Sequence, residues 1–399
     1  MNLLLRTTLS AIFFSAAFFL PEKLAFLIFF SFIFLYKIFL LQRKRLTFFA
    51  TGFLWGFIAY GLHFVWFLEL LISKFFINYF FISLIYIAIV LYVSVLTACF
   101  FLVTKICINF FINKILKKII FLFCLFIYFL FLTNYSIWFV GKIEGYPFIN
   151  PILPLISWCP FKMSLAFKVG PPVFYLKPLN CFDKNLTACR VGQHIYHELA
   201  NLNLEEYKDK FENLIIVGPE TTYPFFLNKN LEQIKLWDSI LPSNAQLILG
   251  SQRLDKKLGQ EKIFQTVYLI NQCRIINFYD KKHCVKLVEK TPKSLKNLKI
   301  RKNFLKNKLE FSRSKTTELT FFKISDEFKI IPIICSEIFF LNLNKIKKLK
   351  NKEKDLTIFL FVNDSWFMSY FKKLMKNFVI LTSYKLDLPI LYVGWPEKI

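Results

Sequence analysis

A multi-span α-helical membrane domain followed by an α/β domain is the fold the sequence predicts, and three observations point to it. The first is apolar content. Of 399 residues 56% are hydrophobic, and 52 are Phe, more than a water-soluble fold readily hides. The second is the placement of acids: before about residue 165 only Glu22, Glu69 and Glu144 occur, with no Asp. The third is a change of pattern near residue 168, where long apolar stretches give way to short β-rich runs alternating with polar, helix-like segments. The expected division is a membrane domain over 1–168 and a globular domain over 169–399.

Taken in order, Leu3–Leu20, Ala25–Leu41, Phe48–Ile72, Tyr79–Val103 and Ile119–Val140 read as spans, each near the roughly 20 residues that cross a bilayer. The first resembles a signal peptide, but further spans follow at once, so it reads as an uncleaved helix. Phe148–Phe167, broken by Pro151, Pro154 and Pro160, reads as re-entrant or interfacial. Arg43, Lys44 and Arg45 follow the second span, and Lys105, Lys114, Lys117 and Lys118 follow the fourth. Basic loops stay cytoplasmic. The N-terminus is therefore expected in the cytoplasm and the residues after the fifth span on the far side. A true sixth span would reverse that. His63 and Glu69 are the main ionisable groups within the spans, too few to favour a transport path.

The net charge of +26 is assigned to loops meeting anionic lipid headgroups rather than to nucleic acid. The Lys-rich stretch Lys290–Lys315 reads as a solvated loop, with headgroup contact as the second reading. The nine cysteines form no CxxC and, with the four histidines, no zinc spacing. A Cys181–Cys189 disulfide is permitted but not demanded, and His194 and His197 suit a solvated helix face. No metal or cofactor is expected.

In the second domain, strands are expected at Leu214–Val217, Gln246–Leu249, Phe264–Ile270, Arg274–Tyr279, Leu319–Ile324, Lys329–Ile334, Thr357–Val362 and Leu388–Val393. Helices are expected at Asn230–Leu241 and Ser365–Lys385. Continuous apolar strands mixed with helices favour a sheet covered on both faces. Polar residues follow three of these strands: Glu220 after Val217-Gly218-Pro219, Lys281 after Tyr279-Asp280, and Cys335 with Glu337 after Pro332–Ile334. Strand ends are where α/β domains build sites. Each residue alone has an ordinary reading: Cys335 as a packed core thiol, Glu220 and Lys281 as solvated charges. Together they make a chemical unit. A carboxylate takes the thiol proton as general base. An ammonium stabilises the thiolate and the oxyanion of a tetrahedral intermediate.

The order Glu, Lys, Cys with these flanks resembles the carbon–nitrogen hydrolase (nitrilase) superfamily. With a membrane domain in front, it resembles the apolipoprotein N-acyltransferase family. Gly52–Phe57 is similar to a glycine-punctuated span of that family, and Gly145-Tyr146-Pro147-Phe148 to its Gly-Phe-Pro-Trp turn. Glu220 sits in Pro-Glu-x-x-x-Pro, Lys281 in Tyr-x-Lys-x-His, and Asn363-Asp364-Ser365-Trp366-Phe367 matches Asn-Asp-x-Trp-Phe. Glu289 has the family spacing from Lys281 for a second glutamate, while Cys335-Ser336-Glu337 stands for Cys-Tyr-Glu. Ser336 replaces the usual tyrosine, and Ile399 comes before the family's last strands and closing helix.

The resemblance implies a nitrilase-like αββα sandwich, C-terminally shortened, in a bacterial inner-membrane protein with its catalytic domain on the periplasmic side. It implies acyl transfer from a phospholipid to the N-terminal amine of a diacylglyceryl-cysteine apolipoprotein through a cysteine thioester. Cys335 would be the nucleophile, Glu220 the base and Lys281 the oxyanion holder, with Glu289 and Glu337 in support. Two alternatives remain open: a membrane-tethered amidase using water as acceptor, and an inactive descendant.

Overall fold

The computed structural model describes residues 2–19, 24–41, 44–65, 79–134, 171–179, 187–257, 260–284, 289, 311–314, 319–353, 355–366 and 369–394. The chain divides into two compact units: Met1–Pro160 with Trp366–Phe378, and Phe161–Ser365 with Val379–Ile399.

In the first unit helices α1 (Leu3–Phe19), α2 (Leu27–Leu41), α3 (Arg45–His63), α4 (Tyr79–Asn109) and α5 (Lys114–Asn134) occupy the stretches read as spans. Among the described residues, Arg45–His63 and Tyr86–Asn109 are long and apolar enough to cross a membrane, with mean hydropathy 1.3 and 2.5, while α1 and α2 are shorter apolar helices. Ile119, Leu122, Phe123 and Phe126 of α5 are all exposed, so this helix is apolar outside as well as in. Glu69 and the segment 148–167 lie outside the described residues.

Gly52 and Gly56 let α3 approach α4 closely. A Cβ on Gly52 would stand 2.8 Å from Phe101, and one on Gly56 2.9 Å from Ser94 Cα. Small residues four apart serve this purpose wherever apolar helices pack backbone to backbone. The buried polar groups here are mostly neutral and bonded to each other or to backbone carbonyls, and Lys105, the charged one, donates its Nζ to Phe39 O at 2.7 Å. Trp55 Nε1 donates to Ser10 Oγ at 2.9 Å, and Ser10 Oγ donates to Ser31 O at 2.9 Å. Tyr128 OH lies 2.9 Å from Tyr60 OH and 2.5 Å from Thr97 Oγ1.

The second unit is α/β. Its first sheet has the order β1 (Val173–Tyr175), β2 (Leu214–Phe226), β3 (Ala245–Lys257), β4 (Gln260–Asn271), β5 (Arg274–Asp280). The first three strands run parallel, and β3–β4–β5 pair antiparallel. Gln272 and Cys273, both at positive φ, make the tight β4–β5 turn whose twist suits a two-residue hairpin. The second sheet has the order β6 (Phe322–Lys323), β7 (Phe328–Ile334), β8 (Asp355–Phe361), β9 (Ile390–Val393), with β7, β8 and β9 parallel. Every strand expected from the sequence is present, β2, β3 and β4 being longer than expected and β6 shorter. Strand β1 and helix α6 (Ala188–Ala200), which carries His194 and His197, had no assigned bounds in the sequence.

Strand alternation explains the layers. Ile215, Val217, Ile248, Val267 and Leu269 face Ile330, Ile334, Phe359, Phe361 and Val393 in one core, so the sheets pack face to face. The opposite face of the first sheet, with Ile216, Leu247, Leu249 and Tyr268, is covered by Val191, Ile195 and Leu199 of α6 and by Ile234 and Trp237 of α7 (Leu231–Asp238). Ile331, Ile333, Ile358 and Leu360, on the other face of the second sheet, are buried too. Helices α8 (Leu343–Lys350) and α9 (Ser369–Leu386) follow β7 and β8 in the chain. Each such side chain contributes about 1.5–3 kcal/mol on burial, which drives the strands together and brings their polar ends with them.

Candidate active site

Glu220 lies on an irregular part of β2, where the register with β3 shifts between Gly218 and Tyr223. Thr221 takes φ 64° there, a left-handed setting unusual for a β-branched residue. The irregularity packs tightly on β3. A Cβ on Gly250 would stand 2.6 Å from Glu220 Cα, so only glycine fits. Thr222 Oγ1 closes the turn by donating to Pro219 O at 2.7 Å.

Lys281 follows β5 directly, its backbone N–H donating to Gln265 O at 2.8 Å. Its side chain is 0% exposed. Its Nζ donates to Glu220 Oε1 at 3.1 Å and to Glu289 Oε1 at 2.7 Å. Both carboxylates are buried as well. Burial opposes the ammonium charge, but Glu220, Glu289 and Cys335 together hold the Lys281 pKa well above its ordinary value. An ammonium between two carboxylates is what a buried charge requires.

The second oxygen of Glu220 is held from the other sheet. Asn363, just beyond β8, donates its backbone N–H to Glu220 Oε2 at 3.1 Å and its side-chain amide to Thr221 Oγ1 at 2.6 Å. Ser365 Oγ donates to Asn363 Oδ1 at 2.7 Å. Tyr392 OH donates to Asp364 Oδ2 at 2.8 Å.

Cys335 sits where β7 ends and a 3₁₀ turn, Cys335–Phe340, begins. Its φ is 52°, which costs an L-residue roughly 1–2 kcal/mol. Such strain collects at sites where a sharp turn must present one side chain. The thiol is partly exposed, forms no disulfide, and lies near enough to Lys281 for their charges to act on each other.

Glu337, two residues on, is buried and accepts four hydrogen bonds. Tyr279 OH and the Ile334 N–H donate to Oε2, each at 3.0 Å. The N–H groups of Lys282 and His283 donate to Oε1. Burial pushes the Glu337 carboxyl up, against the pull of these donors and of Lys281. Burial and the Glu337 charge keep the Tyr279 phenol protonated and hence a donor. Glu337 thus binds the Cys335 turn to the segment bearing Lys281. Next to it, the His283 ring stacks on Phe340, centroids 4.7 Å apart.

The structure therefore brings Glu220, Lys281 and Glu289 into direct contact, places Cys335 within charge range of Lys281, and puts Glu337 behind both. Asn363 belongs to the Asn-Asp-x-Trp-Phe motif but has no role assigned from sequence; its position just past an apolar strand is the available signal. Thr221, Gly250 and Tyr279 went unassigned, since nothing local in sequence marks a bulge or a cross-sheet hydrogen bond.

In sequence the chain is 32% identical over 158 residues to the apolipoprotein N-acyltransferase of Rhizobium rhizogenes (strain K84 / ATCC BAA-868). This match bears out the resemblance read from the sequence motifs. The match covers 38% of this chain and 28% of that relative. No family model matches the chain. Among solved structures, the glutamine-dependent NAD+ synthetase of Acinetobacter baumannii is similar at TM-score 0.35 and 15% identity, over 55% of this chain and 36% of that one. A CN-hydrolase superfamily protein from Xanthomonas campestris is similar at TM-score 0.34 and 9% identity, over 56% and 73%. At such low scores these likenesses carry no argument.

Proposed function

We propose that the chain is a membrane-embedded acyltransferase that moves an acyl chain from a phospholipid to the N-terminal amine of a diacylglyceryl-cysteine apolipoprotein. One observation carries the reading: a fully buried lysine between two buried glutamates, within charge range of a cysteine on a left-handed turn. The similarity to an apolipoprotein N-acyltransferase supports the choice of substrates, and the apolar helices support a protein seated in lipid.

Cys335 gives its thiol proton to Glu220 and attacks the ester carbonyl carbon. Lys281 holds the resulting oxyanion. The tetrahedral adduct collapses to a thioester, and the leaving lysophospholipid alkoxide takes the proton from Glu220. The amine of the acceptor then attacks the thioester. Its proton passes to Glu220, and from there to the departing Cys335 sulfur. Glu289 balances Lys281 when Glu220 is protonated. A two-step exchange of this kind gives ping-pong kinetics. No metal or cofactor enters any step. The N-terminus lies in the cytoplasm of a bacterial inner membrane and the α/β unit on the periplasmic side.

Purified protein given a phospholipid with a labelled acyl chain should carry label on Cys335 and pass it to a diacylglyceryl-cysteine peptide. Cys335→Ala should carry none. Labelled free fatty acid in place of acylated peptide would replace this reading by a hydrolase. No labelled enzyme at all would overturn it.

A further inference from the structure

Asp280 precedes Lys281 in the chain but takes no part in the chemistry above. Its carboxylate is nonetheless bound on both oxygens. Arg253 of β3 reaches it as a fork, Nε to Oδ1 at 3.0 Å and Nη2 to Oδ2 at 2.6 Å. Thr266 of β4 donates to Oδ1 at 2.7 Å. The Arg253 guanidinium is itself held between two rings, 4.6 Å from the centroid of Phe264 and 4.8 Å from that of Phe278, with Asp255 at 3.7 Å. Arg253 and Asp280 have side-chain exposures of only 15% and 7%. Paired forks of this kind fix orientation as well as adding energy.

Successive side chains of a strand point to opposite faces. Asp280 pairs with Thr266 across β4 and β5, on the face that also carries the Tyr268–Phe278 pair. Lys281 leaves for the other face, where Glu220 and Glu289 meet it. A hold on Asp280 therefore sets the rotation of the chain about the strand axis at the residue before Lys281. That rotation decides where Nζ arrives. The largest charges acting on Lys281 are those of Glu220, Glu289 and Cys335, and the link from Asp280 runs through the backbone that joins the two residues.

We infer that Arg253 is a positioning residue for Lys281, acting through Asp280: the fork on one face of the first sheet holds the lysine at the depth its two glutamates and the Cys335 turn require. The inference rests on the reading of Lys281 as the group that stabilises the Cys335 thiolate and oxyanion. Misplacing such a group by about 1 Å can lower a rate about 100-fold.

The test uses the full-length protein in detergent, with two readouts. One is the rate of Cys335 acylation by a phospholipid donor. The other is the pH midpoint for alkylation of Cys335 by iodoacetamide, which needs no turnover. Arg253→Lys and the milder Asp280→Asn should slow acylation about 10-fold or more, with KM little changed, and raise the alkylation midpoint. The double exchange Arg253→Asp with Asp280→Arg should restore part of both. Lys281→Ala should raise the midpoint further. Midpoints and rates unchanged in the Arg253 and Asp280 variants, while Lys281→Ala shifts the midpoint, would overturn the inference and leave the site reading intact. A midpoint indifferent to Lys281→Ala would overturn the reading of Lys281, and the inference with it.

Discussion

The two units bury polar groups in opposite ways. In the helical unit nearly all the interior bonds are between hydroxyls, an indole and backbone carbonyls, as in Trp55–Ser10–Ser31 and Tyr60–Tyr128–Thr97. Its one buried cation among the described residues, Lys105, donates to the carbonyl of Phe39, with no described carboxylate beside it. In the α/β unit the interior holds charge: Glu220, Lys281 and Glu289 in one group and Glu337 behind it. A neutral network costs little to bury, because its members satisfy each other. A buried charge is expensive, and loss of one partner strands the others. The difference separates a region that only has to hold together from one that holds the charged groups the proposed acyl transfer would use.

The largest break in this contrast should come from Lys281→Met. It leaves Glu220 and Glu289 buried without their cation and should cost the α/β unit about 3–5 kcal/mol. Urea unfolding followed by the fluorescence of Trp237, which is buried in that unit, measures it. The same pair of proteins tests the pH dependence. The folded pKa of Lys281 is raised, so its contribution is complete below the unfolded value of about 10.4 and falls as pH rises from there through the folded value. On the alkaline side the stability gap between wild type and Lys281→Met should stay level from neutral pH upward and close only in strong alkali. A gap that closes near pH 7 would show that the lysine is not held as an ammonium.

Gly56→Val should come next. Its side chain meets Ser94 and Thr97 of α4, and overpacking of this kind costs about 1–3 kcal/mol. Thermal unfolding in micelles, read by far-UV circular dichroism, should show it, with the Cys335 alkylation midpoint unmoved. Tyr128→Phe should be smallest. It deletes one hydroxyl from a neutral network, at about 0.5–1.5 kcal/mol. Its effect should not vary with pH; a pH-dependent loss would mean that the Tyr60–Tyr128–Thr97 network is coupled to a charge.

The sequence by itself determined the elements and their order. Apolar runs located α1 to α5 and strands β2 to β9, because hydropathy and side-chain period are local properties of the chain. Motif order picked out Glu220, Lys281, Glu289, Cys335 and Glu337 before any geometry was known. Which of them touch was decided only by the tertiary structure. Lys281 reaches Glu220 across 61 positions of chain, and Asn363 reaches it across 143. The sharp turns at Thr221 and Cys335, the need for glycine at 250 and the Arg253–Asp280 fork likewise belong to the packed sheets. Hydrophobic pattern says that a strand is buried. Only the register between strands, and the stacking of one sheet on the other, says which polar ends meet.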